Sequence, residues 1–96
     1  MRERTHIDSH TIPRLAPHMK LRRDRIRQTW AVQAPERSFF LDGTAEAIVS
    51  RCDGKISIAG IIDSLSAAFP ATPRRVIEAD VIELIQHFVD KGVMLP

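Results

Sequence analysis

The side chains of this chain that could perform chemistry are four histidines and one cysteine, spread over 96 residues. His6 and His10 have the i, i+4 spacing of a metal-binding pair. They fall in a polar N-terminal segment, however, without the further ligands and the support that a metal site needs. His18 stands alone, and His87 falls on the polar flank of a predicted helix, where we interpret it as a solvated side chain. These positions predict neither a metal site nor a catalytic residue.

The single cysteine, Cys52, cannot form an internal disulfide, and it lacks the second thiol that common zinc motifs require. It falls on the apolar side of a predicted helix, which favours a buried structural thiol over a reactive one. The chain contains no glycine-rich phosphate loop, no His-Glu-x-x-His zinc motif and no nucleophile elbow. The sequence therefore predicts a protein that is not an enzyme and that carries no cofactor.

Composition and charge describe one small globular domain with an uneven charge distribution. The hydrophobic fraction is 44% and the charged fraction 27%. No apolar run reaches the ~18 residues that span a bilayer, and no secretory signal is present, so we predict a cytoplasmic protein. Residues 1–37 carry nine Lys/Arg against four acids, whereas residues 38–96 carry five against eight. This asymmetry predicts a basic face that could meet an acidic partner or nucleic acid.

The elements that must position any site begin with strands, because apolar and polar residues alternate over 19–41. Ile26, Trp30 and Val32 share one parity, and we predict that they face the core. A turn is predicted at 23–25, between the first two strands. The pattern therefore predicts an antiparallel hairpin with one buried face.

A third strand is predicted at Ser38–Leu41, after a turn that contains a proline. Its two adjacent aromatic residues, Phe39 and Phe40, must point to opposite faces of the sheet. One ring can enter the core, and the other must find a second apolar surface or lie in water.

After the third strand the apolar spacing becomes helical, and three helices are predicted. Their N-caps are Asp42, Ser57 and Thr72. The apolar stripe of the third helix covers roughly 160°, which is wider than the ~100° of a helix that simply docks on a core. Two interpretations of its flank at Ile82 and Val89 stay open: a helix sunk deep in a small core, or a flank that borders a groove.

The order of the elements predicts an α+β, winged-helix-like domain. It consists of a small three-stranded antiparallel sheet, three helices and a short C-terminal strand. Residues 13–96 are predicted to form this domain, and residues 1–12 to be a disordered N-terminal tail.

Several short motifs, taken in order along residues 13–95, resemble the PqqD family. They include Pro13-Arg14-Leu15, Trp30-Ala31-Val32, Leu41-Asp42, Cys52-Asp53-Gly54 and Phe88-Val89-Asp90-Lys91-Gly92-Val93. The order and spacing of the motifs, rather than any single one, carry the resemblance, which covers nearly the whole predicted domain.

This resemblance implies a winged-helix-like RiPP recognition element, a module that binds ribosomal precursor peptides. It implies that the chain binds the precursor peptide PqqA and presents it to the radical SAM enzyme PqqE in pyrroloquinoline quinone (PQQ) biosynthesis, without performing chemistry itself. In related recognition elements the leader peptide adds as a strand to the edge of the third strand. Its side chains then enter a groove against the third helix.

The resemblance thus implies a peptide site built by the third strand and the third helix. The residues predicted to bind the peptide are Ser38, Phe39, Phe40, Leu41, Val76, Ile82, Ile85 and Val89. We expect the phenylalanine that faces away from the core to line the groove with the isoleucines and Val89. The residues predicted to steer an acidic partner are Lys20, Arg22, Arg23, Arg25 and Arg27.

The alternative function is a winged-helix DNA-binding protein, because the same architecture often places its third helix in the major groove. That segment carries Arg74, Arg75 and Lys91 against four acids, a net charge of −1 that disfavours contact with phosphates. A module that self-associates through an exposed edge strand is a further interpretation. The sequence leaves a monomer and a strand-exchanged dimer open.

Overall fold

The computed structural model describes residues 5–96, and over that range it contains five strands and three helices. In chain order they are β1 (Arg14–Leu15), β2 (Lys20–Asp24), β3 (Thr29–Gln33), β4 (Ser38–Leu41), α1 (Gly43–Val49), α2 (Ile58–Ala68), α3 (Arg74–Asp90) and β5 (Met94–Leu95). The predicted α+β order of three strands, three helices and a short final strand is confirmed, and β1 is an additional short strand at its start. The predicted tail over residues 1–12 includes residues 1–4, which lie outside the described residues.

The strands form two separate antiparallel sheets. The larger sheet has the order β2-β3-β4, and the smaller one pairs β1 with β5, so that Arg14 lies opposite Leu95. The small sheet joins the beginning of the domain to its end. Within residues 5–96, no helix is both long enough and apolar enough to cross a membrane.

The turn between β2 and β3 lies at 25–28, rather than at the predicted 23–25. The Asp24 carboxylate closes it by accepting hydrogen bonds from the backbone N–H groups of Ile26 and Arg27, both at 3.0 Å. These bonds, above all the one from Arg27, hold the pKa of Asp24 below its usual range. Ile26 is therefore at the tip of the hairpin, where it is 94% exposed. The prediction that it faces the core is wrong, because period-2 parity does not continue through a turn.

Two of the three predicted helix caps are confirmed. The side chains of Asp42 and Ser57 each accept the backbone N–H three residues later, at 2.8 and 3.2 Å. The third cap is wrong, since Pro73 rather than Thr72 occupies the N-cap of α3. The N–H of Thr72 instead donates to the carbonyl of Phe69 at 3.0 Å, in the tight turn that follows α2.

The core lies between the helices and the inner face of the larger sheet. The longest helix, α3, contributes Ile77, Val81, Ile85 and Phe88, and α2 contributes Ile58, Ile61, Ile62 and Leu65. Val32 and Leu41 are the sheet residues buried against them, and Trp30 is half-buried at the edge of the same cluster. The core thus fixes the distance between β4 and α3, which is the distance that matters for the candidate site.

The N-terminal segment, residues 5–12, lies against α2 and α3. The side-chain amide of Gln86 accepts the N–H of Ile7 at 3.1 Å and donates to the carbonyl of Thr5 at 2.7 Å. The carbonyl of Thr11 accepts the first N–H of α2 at 2.8 Å, so the segment satisfies a donor that a helix start otherwise leaves unpaired. The domain boundary at residue 13 stays a prediction.

Cys52 is expected to resist thiol reagents while the protein is folded. Burial, reinforced by the Asp53 carboxylate, raises the pKa of the Cys52 thiol to about 12. At pH 8 only about one thiol in 10⁴ would then be the reactive thiolate. We expect no colour with a disulfide reagent such as DTNB in native buffer, and stoichiometric colour after unfolding in guanidinium chloride. Rapid stoichiometric reaction in native buffer would contradict the buried position.

Candidate functional site

The strand β4 has an open edge, because within residues 5–96 it pairs only with β3. The N–H of Ala34 donates to the carbonyl of Arg37 at 2.8 Å, and this bond fixes the hydrogen-bond alternation along both strands. The N–H and C=O groups of Ser38 and Phe40 therefore point away from β3. An extended chain could bond to these four groups as an added strand.

The two phenylalanines of β4 point to opposite faces of the sheet. Phe39 lies on the helix side with the buried Leu41, and its ring packs edge-on against Phe88 of α3, with centroids 5.6 Å apart. The Arg37 guanidinium lies 4.6 Å from the same ring centroid. Phe40 lies on the far side of the sheet and is 52% exposed. Of the two rings, only the inward one, Phe39, lies beside α3. The expectation that the outward ring lines the peptide groove stays a prediction.

A cleft of about 520 Å³ lies between the start of α1 and α3, beside the end of β4. Its lining residues are Asp42, Thr44, Ala45, Ile48, Asp80, Glu83, Leu84 and His87. Three of these are carboxylates and none is Lys or Arg, so the rim is acidic and the floor is apolar. No group of three or more potential metal ligands comes together in the part of the chain that the structure describes.

The α3 residues predicted to bind the peptide lie elsewhere on the helix. Ile85 is 0% exposed and belongs to the core. Ile82 is exposed, but at about 100° per residue it lies about 160° around the helix from Leu84, and Val89 lies within about 20° of Ile82. Val76 is half-buried near the start of α3, outside the cleft lining. Ile82, Ile85 and Val89 are therefore not among the residues that line the cleft beside β4. Their role in peptide binding stays a prediction.

The Ile82 flank of α3 is the side that receives the N-terminal segment. Gln86, about 40° from Ile82 around the helix, holds the backbone of Thr5 and Ile7. The Ile7 side chain packs against the core cluster. A contact with a segment some 80 positions earlier in the chain cannot be seen in the pattern of α3 alone. The over-wide apolar stripe is therefore no marker of the groove beside β4.

Two cleft residues, Leu84 and His87, were missed by the sequence analysis, which interpreted His87 as a solvated side chain. Leu84 is only half-buried, and the His87 ring lies 5.8 Å from that of Phe88. The available signal was the spacing of three residues between Leu84 and His87, which places them on one helical face.

The residues predicted to steer a partner are divided between two faces of the hairpin. Arg23 is on the inner side, where its guanidinium lies 6.0 Å from the Trp30 ring centroid. Lys20 and Arg22 alternate with the inward-facing Leu21 and so point away from the helices. The other two predicted residues, Arg25 and Arg27, belong to the turn.

Comparison with known proteins extends over almost the whole chain. The family model described as coenzyme PQQ synthesis protein D (PqqD) matches residues 29–94. A protein named PqqA binding protein from Rhodopseudomonas palustris (strain HaA2) is 45% identical over 82 residues, which cover 85% of this chain and 79% of that protein. The protein of the same name from Xanthomonas euvesicatoria pv. vesicatoria is 44% identical over 88 residues, with coverages of 92% and 95%.

Two solved structures of PqqD proteins are also similar to this chain. The solution structure of the PqqD truncation of Methylobacterium extorquens PqqCD, described as a functional, stand-alone RiPP recognition element, aligns with a TM-score of 0.82 at 29% identity, over 99% of this chain and 100% of that one. A crystal structure of PqqD from Xanthomonas campestris aligns with a TM-score of 0.56 at 37% identity, over 91% and 96%. The family match, the identities above 40% and the shared fold together establish that this chain belongs to the PqqD family.

Proposed function

We propose that this protein binds the precursor peptide PqqA and presents it to the radical SAM enzyme PqqE, without itself catalysing a reaction. The observation that carries the proposal is the open edge of β4 beside an apolar-floored cleft against α3. Relatives named PqqA binding proteins and a similar structure described as a RiPP recognition element support it.

The peptide in this proposal extends β4 as a fourth strand of the larger sheet. The main-chain groups of Ser38 and Phe40 supply up to four hydrogen bonds, each contributing about 1 kcal/mol net. A micromolar complex needs about 8 kcal/mol, so side chains must supply the rest. Alternate peptide side chains would point toward Phe39, Leu84 and Phe88, where apolar groups can be buried. Backbone pairing thus gives a general affinity for extended chains, and the cleft gives selectivity.

The DNA-binding alternative receives no support from the arrangement of α3. Between its ends the helix carries two arginines against four acids, a net charge of −2. Arg74 is paired with both Asp63 and Glu78. Asp80 and Glu83 line the cleft, where they would repel phosphates. The helix that winged-helix regulators place in the groove is thus acidic in this protein.

Titration of the ¹⁵N-labelled protein with PqqA tests the peptide site residue by residue. We expect the largest amide shifts at Ser38 and Phe40, whose N–H groups gain partners, and at Leu84 and His87 in the cleft. Hydrogen exchange at the two strand amides should slow in the complex. Ile82, on the opposite flank of α3, serves as the internal control and should shift little. Shifts confined to the Ile82 flank, or no saturable shifts, would contradict the proposal.

A further inference from the structure

The face of the larger sheet that points away from the helices is basic and carries an exposed aromatic ring. The cross-strand register aligns Arg22, Ala31 and Phe40 in one row across β2, β3 and β4. Lys20 lies on the same face, two residues before Arg22, and Arg27 of the adjoining turn reaches the face over the Phe40 ring. We use the name basic face for Lys20, Arg22, Arg25, Ile26, Arg27 and Phe40.

The basic face contains two large apolar side chains that are exposed to solvent. Phe40 is 52% exposed and Ile26 is 94% exposed. The Arg27 guanidinium lies 4.9 Å from the Phe40 ring centroid, and its ion pair with Asp24 at 3.0 Å holds it there. Aromatic rings beside arginines are typical of the centres of protein–protein interfaces. Phosphate binding, by contrast, needs cations but no exposed apolar anchors.

The charge of this face differs in sign from that of the cleft on the other side of the sheet. Lys20, Arg22, Arg25 and Arg27 give this face four cations against Asp24 alone, a net charge of +3. The cleft carries three carboxylates and neither Lys nor Arg among its lining residues. The two surfaces therefore favour partners of opposite charge, and a strand added at the edge of β4 leaves the basic face open.

We propose that the basic face docks an acidic surface of PqqE while PqqA occupies the edge of β4, with Phe40 and Ile26 as the apolar anchors. This inference rests on the proposed function, because it takes the enzyme that receives the peptide as the partner. The cations speed encounter with an acidic surface, and the anchors slow dissociation from it. One sheet thus holds the peptide at its edge and the enzyme on its outer face.

Calorimetric titration with PqqE tests this face in variants matched for charge. Arg22→Glu combined with Arg27→Glu is expected to weaken PqqE binding at least ~10-fold and to flatten its salt dependence. The control, Lys55→Glu combined with Arg75→Glu, changes the net charge equally on other exposed surfaces and should weaken binding by less than ~3-fold. Ile26→Asp cannot disturb folding from its exposed position, and it should also weaken PqqE binding by about 10-fold.

The affinity for PqqA, measured on the same proteins, separates this inference from the proposed function. We expect the variants of the basic face to bind PqqA within about twofold of the wild type. The inference would be overturned if the control variant lost as much PqqE affinity as the basic-face variants, or if the basic-face variants bound PqqE as the wild type does. Failure of the wild type to bind PqqE at low salt would also overturn it. A selective loss of PqqA binding would assign the face to the peptide and would also overturn it. Failure of the wild type to bind PqqA would contradict only the proposed function.

Nucleic acid is the other class of ligand that a basic face can attract, and a short random DNA duplex provides that arm of the test. We expect no binding of the duplex at physiological salt. Duplex binding that is lost in the Arg22→Glu, Arg27→Glu variant but retained in Ile26→Asp would overturn the inference, because contacts to phosphates need the charges and not the apolar anchor.

Discussion

Ile85→Asp is expected to unfold the protein, whereas Ile82→Asp, three residues earlier on the same helix, is expected to leave it folded. Ile85 is 0% exposed in the core, while Ile82 is 37% exposed on the flank of α3. A carboxylate at position 85 has no hydrogen-bonding partner and should lower the free energy of unfolding by about 4 kcal/mol or more. That is most of the stability of a domain this small. At position 82 the carboxylate stays in water, and the free energy of unfolding should fall by only about 1 kcal/mol.

Circular dichroism measures this contrast directly. The Ile85→Asp protein should lack a cooperative thermal transition at 37 °C and above, whereas Ile82→Asp should melt about 4–8 °C below the wild type. The identical substitution on one helix is the matched control for helix propensity and charge. We also expect Ile82→Asp to bind PqqA as the wild type does, because this flank lies away from β4. Loss of PqqA binding in a folded Ile82→Asp protein would show that the peptide binds at the Ile82–Val89 flank of α3.

Phe40→Pro is expected to reduce PqqA binding by at least ~100-fold, while Phe40→Ala binds PqqA normally. Proline removes the N–H that points from the open edge of β4 to the added strand, and its ring blocks the approach of the peptide backbone. An edge strand tolerates proline where the N–H faces solvent, so the fold should survive. Alanine removes the same aromatic ring but keeps the N–H group. The pair of variants therefore separates backbone pairing from side-chain contact at one position.

Fluorescence anisotropy of labelled PqqA gives both affinities, and circular dichroism confirms that each variant is folded. Normal binding by a folded Phe40→Pro protein would contradict strand addition at β4. Equal loss in Phe40→Ala would show that the ring, rather than the N–H group, carries the binding. Sedimentation of the same proteins also tests self-association through this edge, because proline there would prevent β4 from pairing with a second copy.

Residue periodicity and helix-capping rules were sufficient to predict most of the strands and helices. The change from period 2 to a helical period after Leu41 marked the transition from strands to helices. The side chains of Asp42 and Ser57 cap α1 and α2 because an N-cap depends only on residues three positions away. The same rules failed at Ile26 and Thr72, where a turn replaced the expected strand parity or helix start. Turn position depends on which competing hydrogen bond forms, and neighbouring residue types do not decide that.

The sequence by itself determined the family and the α+β order of elements, because these depend on motif order and on local periodicity. The resemblance to the family then implied β4 as the candidate peptide strand. Only the tertiary structure decided which flank of α3 faces β4. That choice depends on how α3 is rotated about its axis, and the rotation is set by contacts with distant segments. Phe88 meets Phe39 across the rim of the core, and Gln86 holds residues 5–7 on the other side. A helical stripe shows which residues are apolar, but it carries no information about which segment packs against each side of it.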